Sequence, residues 1–221
     1  MYLWLILALF FAALEAVAVA KDIRRLEYIA KPAVMAFLFL WLFTTTGLQG
    51  HALWFGLGIL FSLAGDVLLM LSLDRFFLLG LVAFLLTHIF YTIGFRDAAT
   101  EMSAWSLIWL VLIAINVSRI LRRITGAMRA TDKVNLILPV IVYGTVISVM
   151  LYAAISTIYD QDWKTSAAFF VSLGAILFVA SDVILAWDNF VSPVKNGRVW
   201  NILLYHLGQV GLIAGVISQF G

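Results

Sequence analysis

HALWFGLGILFSLAGDVLLMLSL, residues 51–73, is a long apolar run whose one charged side chain is that of Asp66. A helix of about 20 apolar residues crosses the hydrocarbon layer of a bilayer, so this stretch predicts a membrane span. Seven similar stretches lie along the chain. The predicted spans are 2–20, 32–49, 51–73, 76–95, 104–121, 135–158, 165–187 and 199–220. We therefore expect an all-α, polytopic membrane bundle of eight transmembrane helices, with residues 1–221 forming a single integral membrane domain.

The composition agrees with this fold class. The 221 residues are 64% hydrophobic and 12% charged, whereas soluble domains are about 45–50% apolar and about 25% charged. A water-soluble globule is therefore excluded, and so is a disordered chain, which requires low hydrophobicity. The chain contains no Cys, which excludes disulfides, thiolate nucleophiles and Cys-ligated metals.

The basic residues predict the orientation of the bundle. Of the 14 Lys and Arg residues, all but Arg96 and Lys164 lie in the first, third, fifth and seventh connections. Cytoplasmic loops are enriched in positive charge, so these connections are expected in the cytoplasm and both termini outside. The first span has its basic cluster after the apolar run, which favours a retained helix over a cleaved signal peptide. The predicted orientation suggests a bacterial inner membrane, with an organelle membrane as the alternative.

The fifth connection, RILRRITGAMRATDK (119–133), is the most basic segment. Its charges are expected to anchor the chain against anionic lipid headgroups. A platform for a phosphorylated headgroup is the alternative interpretation.

Ionisable residues inside spans cost about 2.5–3.5 kcal/mol each on insertion scales, so each is a candidate for function. Counting along each helix at about 1.5 Å per residue gives their depth. The polar residues expected in the cytoplasmic half are Glu15, Lys31, Asp66, Asn116, Asn135, Asp182 and His206. His88 is expected to lie deeper. Tyr143, Tyr205 and Gln209 are weaker polar neighbours. Together these residues predict one polar cavity that opens toward the cytoplasm.

The third and seventh spans contain similar sequences, LAGDVLLML (63–71) and VASDVILAW (179–187). In each case the next span carries a histidine, His88 or His206. The chain could therefore be two parallel four-helix repeats with Asp66 and Asp182 at equal depth. A separate small-residue pair on the eighth span, Gly211 and Gly215, predicts close helix packing.

Two neighbouring carboxyl groups in a site of low dielectric constant cannot both ionise easily, so they are expected to share a proton. Such a pair supplies an acid and a base together and suits hydrolysis of an acid-labile bond. The structural alternative is that each acid only bonds Ser, Asn or Lys to hold helices together. A zinc site formed by the histidines and acids is a further alternative. The predicted depth of His88 disfavours it, and we expect no metal and no cofactor.

Five stretches carry a resemblance to a known family. They are KPAVMAFL (31–38), FSLAGDVLLML (61–71), GLVAFLLTHIFYTIGF (80–95), GAILFVASDVILAWDNF (174–190) and LLYHLGQVGLIAG (203–215). They resemble the lysoplasmalogenase family of YhhN-like membrane proteins. The resemblance implies an eight-span hydrolase that cleaves the vinyl ether of lysoplasmalogens, or of a related lysolipid. The products would be a fatty aldehyde and a glycerophospho-ethanolamine or -choline. It also implies that Asp66 and Asp182 match the paired acids of the family.

On this interpretation one protonated Asp donates to the β-carbon, and an ionised Asp or Glu15 stabilises the oxocarbenium ion. Which Asp is the acid stays open. Lys31 would hold one carboxylate ionised, meet the lipid phosphate, or only extend toward the membrane boundary. Water or the headgroup would be positioned by four residues, Asn116, Asn135, Tyr143 and His206.

The expected partners are a lysophospholipid substrate and membrane lipid, with no nucleic acid and no protein partner. Two other functions compete with the hydrolase. Intramembrane acids also serve proton-coupled transporters, which often contain helices broken by Gly or Pro at mid-membrane. The position of the prolines near the ends of predicted spans disfavours that alternative. A structural or regulatory membrane protein is the third possibility.

Overall fold

A computed structural model describes residues 2–71, 73–95, 104–131 and 133–221. Arg96, one of the basic residues used to predict orientation, lies outside these ranges. Within them, eight helices are long and apolar enough to cross a membrane. They are α1 (Leu3–Ala20), α2 (Arg24–Thr46), α3 (Ala52–Leu71), α4 (Leu73–Gly94), α5 (Ala104–Arg129), α6 (Ile137–Ser156), α7 (Thr165–Phe190) and α8 (Gly197–Phe220). Single 3₁₀ turns, Val134–Leu136 and Thr157–Tyr159, flank α6.

The protein is an integral membrane protein, because apolar side chains cover the outside of the bundle as well as its core. The exposed surface of α5 shows this most clearly, since large side chains such as Trp105, Ile108 and Val111 are more than 40% exposed. Only four of the described residues of this helix are buried, namely Ser106, Ile124, Thr125 and Met128. A surface of this kind is stable against lipid and unstable against water.

Two helices extend beyond their predicted ends. The sequence placed the start of the second span at residue 32, but α2 begins at Arg24 and continues without interruption through Pro32. The fifth connection was predicted as a loop from residue 119, but α5 remains helical to Arg129. The predictions stopped where charges began, whereas charged side chains are compatible with a helix wherever they reach water or a partner. Pro32 lies inside α2, but the helix is unbroken there, so it does not form the interrupted span that is typical of such transporters.

Each helix of the first four makes contacts that correspond to those of the helix four places later in the chain. α3 packs on α4 and α7 packs on α8, while α2 contacts α8 and α6 contacts α4. At the centre, the Tyr91 hydroxyl donates to Gln209 Oε1 at 2.7 Å, and these residues occupy matching places on α4 and α8. The packing is therefore consistent with the predicted four-helix repeat.

Glycines bring α7 and α8 close together, as the small residues on the eighth span predicted. A Cβ added at Gly211 would lie 3.0 Å from Gly174 Cα, and one at Gly215 would lie 2.8 Å from the carbonyl oxygen of Ala167. A Cβ at Gly174 would lie 2.4 Å from Leu212 N. Only glycine permits this backbone approach, which fixes α7, and with it Asp182, against α8.

Candidate active site

A cavity of about 550 Å³ opens between the helix ends that adjoin the first, third, fifth and seventh connections. This volume is within the range of small-molecule sites, about 300–1,000 Å³. Asp66 and Asp182 both line the cavity. Much of the remaining wall is apolar, with side chains such as Leu81, Leu121 and Val179. The cavity therefore combines two carboxyl groups with space for a hydrocarbon chain.

Asp66, on α3, is buried and ion-paired. Lys31 Nζ, on α2, lies 3.1 Å from Asp66 Oδ1. The Tyr205 hydroxyl, on α8, donates to Asp66 Oδ2 at 2.6 Å. Each carboxylate oxygen thus has its own donor, and the ammonium supplies the opposite charge that a buried carboxylate requires.

Asp182, on α7, contacts the aromatic side chains of Tyr143 and His88 and is more open than Asp66. The Tyr143 hydroxyl, on α6, donates to Asp182 Oδ2. His88 Nε2, on α4, lies 3.0 Å from that hydroxyl and 3.7 Å from Asp182 Oδ2. The Asp182 side chain is 17% exposed, against 1% for Asp66. No hydrogen bond to Asp182 Oδ1 occurs among the described residues, and this oxygen is the one available to a molecule in the cavity.

Aromatic rings in tilted and edge-on contacts connect the two acids. The rings of Tyr205 and Phe178 lie 5.2 Å apart between centroids, and Phe178 lies 4.9 Å from His88. Within the described ranges no hydrogen bond joins the two carboxyl groups directly. The sequence led us to expect one proton shared between them, whereas the structure gives each acid its own partners.

Glu15 and His206 form a separate buried pair. His206 Nε2 and Glu15 Oε2 are in hydrogen-bond contact, and the two side chains are 0–2% exposed. Neither residue lines the cavity. The predicted roles of Glu15 in stabilising a cation and of His206 in positioning water therefore do not fit this geometry. The pair lies behind Tyr205, whose ring is 5.1 Å from that of His206.

Comparison with known proteins identifies the family. A sequence profile of the YhhN family matches residues 26–216. The chain belongs to the YhhN family. This confirms the resemblance carried by the sequence motifs. No solved structure matches the chain.

Three relatives of this YhhN-family chain are named as lysoplasmalogenases. Lysoplasmalogenase TMEM86B of Mus musculus is 29% identical over 193 residues, which cover 86% of this chain and 74% of the mouse protein. TMEM86B of Homo sapiens is 25% identical over 174 residues, covering 78% of this chain and 66% of that protein. TMEM86A of Bos taurus is 26% identical, covering 73% of this chain and 64% of that protein. The chain thus spans about two thirds to three quarters of their length.

Two polar residues predicted at the site of the YhhN-family chain lie elsewhere. Asn116 is exposed and donates to the carbonyl oxygen of Leu112 on its own helix. Asn135 is exposed in the turn before α6. Neither lines the cavity. Both were selected by depth alone, and depth does not tell which side of a helix faces the cavity. Lys31, predicted in the same way, does face it, and so does Tyr143, which was expected as a weaker polar neighbour.

The sequence analysis missed His88 and undervalued Tyr205. His88 was expected too deep to meet the other groups, but its imidazole contacts Tyr143 and approaches Asp182. Depth counted along helix axes ignores the length of side chains. The Tyr143 side chain extends between His88 and Asp182, and its hydroxyl contacts both. The repeat contained a usable signal, because it placed a histidine after each aspartate.

The arrangement separates the two histidines that the zinc alternative required in one group. His88 is beside Asp182, and His206 is bonded to Glu15. In the part of the chain that the structure describes, no three His, Asp or Glu side chains group as metal ligands. The chemistry that these residues offer is proton transfer from and to carboxyl groups.

Proposed function

We propose that this YhhN-family chain is a membrane-embedded hydrolase that cleaves the vinyl ether bond of lysoplasmalogens or of a related single-chain lysolipid. The names of its relatives support the reaction class. The observation that carries the proposal is that Asp66 and Asp182 line one largely apolar cavity with different partners. Two carboxyl groups in different surroundings are suited to opposite roles in acid–base catalysis.

The reaction needs a proton donor and a group that tolerates positive charge. A vinyl ether is hydrolysed when its β-carbon takes a proton, which leaves an oxocarbenium ion at the neighbouring carbon. Water then bonds to that carbon and loses a proton, giving a hemiacetal. The hemiacetal hydroxyl then loses its proton and becomes the aldehyde carbonyl as the bond from this carbon to the ether oxygen breaks. The ether oxygen takes up a proton, and the products are an aldehyde and an alcohol. A positioned acid and base accelerate such proton transfers by about 10²–10⁴-fold.

In this proposal Asp182 is the acid. Its Oδ2 accepts from Tyr143, which leaves Oδ1 to carry a proton into the cavity. No lysine or arginine pairs with Asp182 among the described residues, so nothing there forces this group to stay ionised. His88 and Tyr143 provide neighbouring sites from which the proton can be replaced.

Asp66 is the ionised partner. The Lys31 ammonium at 3.1 Å balances its negative charge inside the protein. A carboxylate held in this way can stabilise the oxocarbenium ion and accept a proton from the attacking water. Lys31 therefore acts on the carboxylate, which is the first of the roles predicted for it.

The cavity is proposed to open to the cytoplasm of a bacterial inner membrane. Its mouth adjoins the four connections that contain most of the basic residues, and cytoplasmic loops have this bias. The hydrocarbon chain would occupy the apolar wall.

The test is release of aldehyde from a purified lysoplasmalogen by the protein in detergent. Asp66→Asn and Asp182→Asn should each abolish release. Asp162→Asn is the matched control, because Asp162 is exposed beyond the other ends of the helices, and it should retain activity. Full activity in either site variant would remove that acid from the mechanism. Uptake of substrate into proteoliposomes without hydrolysis would favour the transporter.

A further inference from the structure

Two arginines stand at the mouth of the cavity in equivalent positions. Arg24, on α2, and Arg198, on α8, both line it. Arg24 precedes Lys31 by seven residues and Arg198 precedes Tyr205 by seven residues. Lys31 and Tyr205 are the two side chains bonded to Asp66. Seven residues are two helical turns, so each arginine shares a helix face with a partner of Asp66.

The distance along each helix from the arginine to the partner of Asp66 is close to the distance from the phosphate to the vinyl ether in a lysoplasmalogen. Two helical turns advance about 10 Å. In a lysoplasmalogen, seven bonds separate the phosphorus atom from the β-carbon of the vinyl ether. An extended chain advances about 1.2 Å per bond, or about 8 Å over this path. A phosphate bound to the arginines would therefore place the reactive carbon near the level of Asp66. The remaining difference between the two lengths is smaller than the reach of a flexible arginine side chain.

The two arginines differ in what holds them. Arg198 Nη2 lies 3.1 and 3.0 Å from the two carboxylate oxygens of Glu27, and its Nη1 lies 3.5 Å from Asp22. Arg24 is exposed and makes no side-chain hydrogen bond or ion pair within the described ranges. One guanidinium is thus free, and the other is held by two carboxylates with which an incoming anion would compete.

We infer that Arg24 and Arg198 bind the phosphate of a single-chain glycerophospholipid at the mouth of the cavity. Guanidinium groups bind phosphate oxygens through paired, charge-assisted hydrogen bonds. Glu27 competes with the phosphate for Arg198. The inference deepens the proposed function and rests on it, because it assigns the headgroup end of the same site.

A binding measurement tests the inference without depending on catalysis. The probes are 1-O-hexadecylglycerol 3-phosphate and 1-O-hexadecylglycerol, saturated ethers that differ only in the phosphate. Equilibrium binding of each labelled probe is measured in detergent, with aldehyde release followed in parallel. The wild-type protein should prefer the phosphate probe. The R24Q/R198Q double variant should lose roughly ten- to hundredfold in affinity for it and keep its affinity for the neutral probe.

Two further variants separate phosphate binding from a structural role. Glu27→Gln should tighten binding of the phosphate probe, because it removes the nearer of the two carboxylates that compete for Arg198, and a purely structural ion pair would give no such gain. Arg122→Gln is the matched control, since Arg122 bonds Ser118 on its own helix and does not line the cavity; its affinities should not change.

Three outcomes would overturn the inference. They are an unchanged preference in the double variant, equal loss for both probes, and displacement of the lipid probe by inorganic phosphate at equal concentration. The last would show a site for free phosphate instead of a lipid headgroup. Loss of preference without any aldehyde release by the wild type would support the headgroup site and contradict the proposed reaction, so the two failures are distinguishable.

Discussion

Lys31 and Asp66 form a buried ion pair across α2 and α3, with Nζ 3.1 Å from Oδ1 and side-chain exposures of 15% and 1%. A buried charge without a partner is very costly. The two residues therefore depend on each other. They are 35 positions apart in the sequence, and the packing of α2 against α3 brings them together.

The first prediction concerns this pair. Lys31→Met leaves Asp66 without its cation, and the carboxyl group should then take up a proton and no longer serve as the ionised partner. We expect kcat to fall by about 10²-fold or more, with part of the activity restored in Lys31→Arg. Steady-state aldehyde release measures both variants.

Lys164→Met is the control for this substitution. Lys164 lies at the start of α7 and bonds the carbonyl oxygen of Ser218, away from the cavity. A Lys31→Met protein that is folded and fully active would contradict the role given to the ion pair.

The second prediction concerns the hydroxyl that joins His88 to Asp182. Tyr143→Phe keeps the ring and removes the donor to Asp182 Oδ2 and the contact with His88 Nε2. We expect kcat to fall roughly ten- to hundredfold, because the bond from Tyr143 becomes charge-assisted when Asp182 gives up its proton, and such a bond contributes about 1.5–3 kcal/mol. KM should change little because the cavity shape is kept.

Tyr152→Phe, on the same helix and outside the cavity lining, should leave kcat unchanged. If Tyr143→Phe behaved in the same way, Tyr143 would be a packing residue and its hydroxyl would not be needed to return the proton to Asp182.

The sequence predicted the fold and part of the site, and there is a physical reason why it did not predict the rest. Hydrophobicity and length decide whether a stretch spans the membrane, so all eight spans were found. Lys31 and Tyr143 were also expected near the acids. Asn116 and Asn135 were placed wrongly, because the rotation of a helix about its axis depends on tertiary packing. The same packing turns α5 toward lipid and Asn116 away from the cavity.

The pairing of Glu15 with His206 could not be predicted either. The two residues are 191 positions apart, and nothing local in either span indicates that α1 and α8 are neighbours. Sequence depth placed both residues at the same level, and their contact agrees with that, but a shared level does not by itself predict a contact. The same limit applies to the ring contacts between Phe178 and Tyr205.

The third prediction concerns the stability of the Glu15–His206 pair. Glu15→Leu alone leaves a buried imidazole without its partner, and we expect the free energy of unfolding to fall by about 3–5 kcal/mol. The double variant Glu15→Leu/His206→Leu should be less destabilised than the sum of the two single variants. Denaturant unfolding in detergent measures this cycle. Strict additivity would mean that the two side chains do not interact.

The fourth prediction concerns the side of the membrane on which the cavity opens. Because the chain has no Cys, single cysteines can be introduced without a background. Ser192→Cys, between α7 and α8, reports on the cavity end, and Gln49→Cys, between α2 and α3, reports on the other; both positions are exposed. Neither substitution removes a charge, so the distribution of basic residues that orients the bundle is kept. In intact spheroplasts a membrane-impermeant maleimide should label Gln49→Cys alone, and permeabilised cells should label both. Labelling of Ser192→Cys in intact spheroplasts would place the cavity mouth outside, where it would receive lysolipids from the outer leaflet instead of the cytoplasmic one.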